Sequence, residues 1–114
     1  LIRRQRQMCI RDRTSPRILG SSMLTVYPQS RLFSEMQAGR WTEAGEVEKL
    51  EELKTLVEHL ERPLYFAALG ASNAVSVHGF LPEERDAVAA KLARACRPEH
   101  EDALRRYRAG LRHL

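Results

Sequence analysis

Apolar and polar residues alternate along the chain in a way that predicts strands and helices in turn. Ser22-Met23-Leu24-Thr25-Val26-Tyr27 is rich in β-branched and aromatic residues and predicts a buried strand that stops at Pro28. Ser30 is placed to cap a short helix over residues 31–38, with Leu32, Phe33 and Met36 on one side and Gly39 suited to the left-handed position that closes it. Trp41 follows in a connection and is expected over the strand end. Thr42 is a candidate N-cap for the longest helix, about Glu43 to Glu61. There Val47, Leu50, Leu53, Leu56, Val57 and Leu60 recur at steps that make one apolar stripe. Glu43, Glu46 and Glu48 lie where the helix dipole favours negative charge, and Arg62-Pro63 ends the helix.

Leu64-Tyr65-Phe66-Ala67-Ala68-Leu69 has no helical face, which predicts a strand buried on both sides. A polar turn, Gly70-Ala71-Ser72-Asn73, leads into Ala74-Val75-Ser76-Val77-His78, an alternating strand or extended loop that Gly79 is expected to break. His78 is assigned no role beyond solvent contact. Leu81-Pro82-Glu83-Glu84 opens a further helix whose inner face holds Val88 and Leu92, and Arg97-Pro98 stops it. A last helix, about Glu99 to Leu111, places Leu104, Tyr107 and Leu111 inside and Arg105, Arg106, Arg108 and Arg112 outside.

Length and charge narrow the classes open to such a chain. At 114 residues it is one small domain, well short of the roughly 250 residues of a complete (β/α)₈ barrel. No stretch approaches the roughly 20 apolar residues of a membrane span, so the expectation is a cytoplasmic protein with no membrane partner. The net charge of +4 is concentrated in residues 1–13, where Arg3, Arg4, Arg6, Arg11 and Arg13 face one acid, Asp12. The remainder is neutral, so any affinity for nucleic acid would rest on those thirteen residues, and none is expected of the rest.

The segment Arg3 to Arg13 resembles one translated frame of a transposon-type sequencing adapter. Residues 1–13 are therefore set aside as adapter-derived, irregular sequence, and the natural chain is expected to enter mid-gene near Thr14 as part of something longer. With Cys9 set aside, Cys96 stands alone near the end of an Ala-rich helical stretch and reads as a small buried thiol. His59, His100 and His113 lack the companions at i+3 or i+4 that a metal site would need. No GxSxG elbow, P-loop, HExxH or paired-Cys motif occurs, so no catalytic or metal-ligating residue is assigned.

The ordered set Tyr27-Pro28-Gln29-Ser30-Arg31-Leu32-Phe33, Ala38-Gly39-Arg40-Trp41, Glu48-Lys49-Leu50-Glu51-Glu52-Leu53, Gly70-Ala71-Ser72-Asn73 and Gly79-Phe80-Leu81-Pro82-Glu83-Glu84-Arg85 resembles the C-terminal side of the radical SAM core domain. The resemblance covers most of Ser22 to Leu92. It departs at Gln29, where the family tends to have Gly, and at Glu84, where it tends to have Asp. It implies an α/β fold, the C-terminal fragment of a partial (β/α) barrel with a helical C-terminal extension; residues 14–96 are read as the C-terminal portion of the core plus extension and residues 97–114 as a C-terminal helix. The implied parent cleaves S-adenosylmethionine reductively with a 4Fe-4S cluster held by a Cys-x₃-Cys-x₂-Cys loop, which this sequence lacks. The fragment would bind neither cofactor by itself, and its partner would be the N-terminal part of the same barrel. Functional groups of barrels gather at the carboxyl ends of strands, which singles out Ser30, Ser72 and Asn73 as cofactor-binding candidates, with Tyr27 beside them. The alternative from another class is a small free-standing α/β protein-protein interaction module.

Overall fold

The computed structural model describes residues 15–110. The adapter-like segment and the expected inner position Leu111 lie outside the described residues. Mixed α/β architecture is observed: β1 (Ile18–Gly20), α1 (Arg31–Gln37), α2 (Glu46–His59), β2 (Leu64–Ala68), β3 (Val77–Leu81), α3 (Arg85–Ala95), a 3₁₀ turn (Pro98–His100) and α4 (Glu101–Ala109). The strands form one sheet in the order β1-β2-β3, with β1 parallel to β2 and β3 antiparallel to it.

The apolar stripe of α2 docks as expected. Leu50, Leu53 and Val57 are buried against Leu64, Phe66 and Ala68 of β2, Val77 and Leu81 of β3, and Val88 and Leu92 of α3. Burying Phe66 completely is worth about 1.5–3 kcal/mol. Arg85, at the start of α3, donates to the carbonyls of Val57 and Leu60 and so satisfies acceptors at the end of α2 while joining the two helices.

Five expectations are corrected. The first strand is Ile18–Gly20, and residues 22–27 run as coil. The β-ladder continues one bond beyond each end of β1, with Tyr65 N donating to Arg17 O at 2.8 Å and Ser21 N to Ala67 O at 2.9 Å, and then leaves the sheet. β-propensity in residues 22–27 therefore lost to the absence of a strand to pair with.

Gly79 does not break its strand. It sits in the middle of β3 facing the helical layer, where an added Cβ would come within 3.1 Å of both Glu84 Cβ and Val88 Cγ2. The glycine is a packing gap for α3. Next to it, Phe80 turns its backbone outward and is closed by Glu84, whose carboxylate accepts from Phe80 N at 2.6 Å and whose amide donates to Phe80 O at 2.8 Å. That shields part of an edge strand.

The long helix starts at Gly45 rather than Thr42, and Gly45 offers no side-chain cap. The last helix is also oriented differently from expectation: Tyr107 is 55% exposed, whereas the Arg108 side chain is only 9% exposed.

Finally, β2 is buried on one face only. Leu64, Phe66 and Ala68 face the helices, while Tyr65 and Ala67 lie on the opposite side. Across that side Ile18, Tyr65 and Phe80 are in register as one row, with Ile18 68% and Phe80 62% exposed. Tyr65 packs its ring 4.9 Å from Phe80 and 6.2 Å from His78, centroid to centroid. The sheet thus has a packed face and an uncovered, largely aromatic one.

Candidate functional site at the strand ends

Parallel strands direct their carboxyl ends to the same side, where α/β folds place their ligands. Here β1 opens into residues 21–27 and β2 into Leu69–Asn73. Between the first of these loops and the flank of α2 lies a cavity of about 330 Å³, reached by Met23, Leu24, Trp41, Lys49, Leu53 and Asn73. Between the two loops lies a shallower hollow bordered by Leu24, Tyr27, Gly70 and Ser72.

The three candidate residues separate. Ser30 is the N-cap of α1: its Oγ accepts from Phe33 N at 3.1 Å and donates to Tyr27 O at 2.7 Å, and it borders neither concavity. Ser72 borders the hollow, and its carbonyl accepts from Arg108 Nε at 3.1 Å. Asn73 is 3% exposed and lines the cavity beside α2. Its Oδ1 accepts from Met23 N at 3.1 Å, and its Nδ2 donates to Ser21 O and Gly70 O, both at 3.2 Å. Asn73 stitches the two strand-end loops together, and its amide has spent both donors on the protein's own carbonyls. Trp41, expected over the end of a strand at residues 22–27, instead lines the cavity together with the coil residues Ser22, Met23 and Leu24.

Sequence patterning missed the charged groups that hold this region. Arg108 Nη1 donates to Glu46 Oε1 at 2.7 Å, Nη2 to Leu24 O at 2.5 Å and Nε to Ser72 O, so one guanidinium reaches both loops and α2. Glu46 is 6% exposed and also meets Lys49, whose ammonium lies 2.6 Å from Glu43. Glu101 accepts from the amides of Glu46 and Val47 at 2.8 Å each. The Val47 amide above all, with the Glu46 amide and the Arg105 guanidinium, holds the Glu101 carboxyl below its ordinary value, against burial. The only advance sign of these roles was the presence of charge in the last helix.

Cys96 is half-buried, and burial first, then the Glu51 charge, pushes its thiol up while Lys54 opposes. It is held as a thiol rather than an activated thiolate. Among the described residues no cluster of His, Cys, Asp and Glu is disposed to hold a metal ion, and no helix is long and apolar enough to cross a membrane. No family model, curated protein or solved structure matches the chain.

Proposed function

We propose that this chain is the closing, C-terminal part of a cytoplasmic radical SAM enzyme and is not catalytic by itself. The observation that carries the reading is the one-sided sheet: a parallel β1–β2 pair joined through helices, with α2 and α3 on one face and, on the other, a row in which Ile18 and Phe80 are exposed on either side of the half-buried Tyr65. A barrel has its helices outside and its apolar strand residues inside, so that row would form lumen wall once further strands closed over it. β3, being antiparallel, would belong to the extension that follows the last barrel strand.

The residues present do not fit an iron–sulfur cluster. Cys9 and Cys96 are the chain's two cysteines, far apart in sequence, and no Cys-x₃-Cys-x₂-Cys loop occurs. Ser30 and the Asn73 side chain are engaged by the fold itself, which leaves Ser72, at the hollow, as the candidate nearest an open surface. In this reading the upstream part of the barrel supplies the cluster and the electron, and this chain supplies a wall that excludes water.

The test is to sequence the genomic locus upstream of the Thr14 codon and to purify the longer polypeptide anaerobically. A three-cysteine loop in frame, iron–sulfur absorbance and release of 5′-deoxyadenosine from S-adenosylmethionine are expected. An upstream frame without that loop would overturn the proposal. The uncovered face also serves the second reading, an interaction module whose partner covers the sheet. That reading expects the 114-residue chain alone to be a monomer that melts cooperatively, whereas a barrel fragment expects aggregation or molten behaviour with strong binding of an apolar dye.

A further inference from the structure

We infer that α4 is a polar strap that sets the gap between the two strand-end loops and releases without unfolding the core. No residue of α4 is buried, and its one inward apolar side chain, Leu104, is only partly covered. Its attachment is instead a pair of charged grips at its two ends. At the start, Glu101 holds the amides of Glu46 and Val47; at the end, Arg108 holds Leu24 O, Ser72 O and Glu46. Leu24 and Ser72 border the hollow from opposite loops, so the guanidinium that bonds to both carbonyls fixes its width.

The closed arrangement also has an internal cost. Glu46 Oε2 and the Thr25 hydroxyl are buried without a hydrogen-bond partner, one on the carboxylate that Arg108 grips and the other next in sequence to Leu24. Lifting α4 lets water reach the first and frees the loop that holds the second. A helix held by apolar burial would leave only with the core, because its departure would expose core surface. One held at two charged points opens as a local unit.

Amide hydrogen exchange on the 114-residue chain tests this. Amides of residues 101–109 are expected to exchange through an opening insensitive to low denaturant, while those of Leu50 and Phe66 stay protected. Arg108→Ala should speed exchange in α4 by roughly tenfold or more and leave α2 and β2 unchanged. It should also shift the emission of Trp41, the sole tryptophan, which shares the cavity wall with Leu24. Arg108→Lys keeps the charge beside Glu46 but not the fork that reaches both carbonyls, and should fall between. If α4 shares the denaturant dependence of Leu50 and Phe66, or if Arg108→Ala speeds all elements alike, α4 is an integral part of the core and the strap is wrong.

Discussion

The two carboxylate oxygens of Glu101 close the first turn of α2 from 55 positions further along the chain, taking the amide of Glu46 on one oxygen and that of Val47 on the other, both at 2.8 Å. A side chain from another helix thus performs the task that a capping residue performs locally, and Gly45 is left without one.

This contact sets a pH dependence. The Glu101 carboxyl titrates lower in the folded chain than its ordinary 4.5, so its contribution is complete above that value and is lost as pH falls through the lowered one. Acid titration followed by hydrogen exchange is expected to loosen α4 and the first turn of α2 over that range. Glu101→Gln should show the loosened state already at neutral pH and lose the acid step.

Gly79 makes a sharper stability prediction. Gly79→Ala places a methyl 3.1 Å from Val88 Cγ2 on α3 and from Cβ of Glu84, the residue that precedes α3. Overpacking of this kind costs about 1–3 kcal/mol, and Gly79→Val should cost more. Chemical denaturation with an unchanged slope and a lower midpoint is the expected result.

Asn73→Ala removes three side-chain bonds and leaves Met23 N and Ser21 O without that partner, while Gly70 O keeps the backbone amide of residue 73. A buried group left unpaired costs about 1–3 kcal/mol, so a loss in that range or above it is expected. Asn73→Asp keeps the acceptor for Met23 N but sets a carboxylate against the carbonyls of Ser21 and Gly70. It should be at least as damaging, and thermal melts of the two variants compare them directly.

The uncovered sheet face predicts the opposite pattern. Phe80→Thr removes an aromatic ring that is mostly exposed and leaves a β-branched residue in β3. Its melting temperature should change little, by no more than the fraction of a kcal/mol typical of surface positions, while binding of an apolar dye falls. Phe66→Ala, at the middle of the central strand but on the packed side, should cost about 3–5 kcal/mol.

Local chemistry was legible in advance. Ser30 caps α1 because its hydroxyl reaches an amide three residues on, Leu50, Leu53 and Val57 share a face because of the helical repeat, and Gly70–Asn73 turns where its residues favour a turn. Each of these depends on atoms only a few positions apart, so each leaves a mark in a short window of sequence.

What only the tertiary structure decided depends on partners far along the chain. Residues 22–27 carry a better strand pattern than Ile18–Gly20, yet pairing is settled by which backbone lies beside Tyr65 to Ala67. Gly79 looks like a break until α3 is packed against it, and Arg108 looks like a solvated charge until Leu24, 84 positions away, is brought within 2.5 Å. The same holds for the uncovered row of Ile18, Tyr65 and Phe80: a run of apolar residues records that a strand is apolar, but which of its sides is covered depends on how many layers assemble around it.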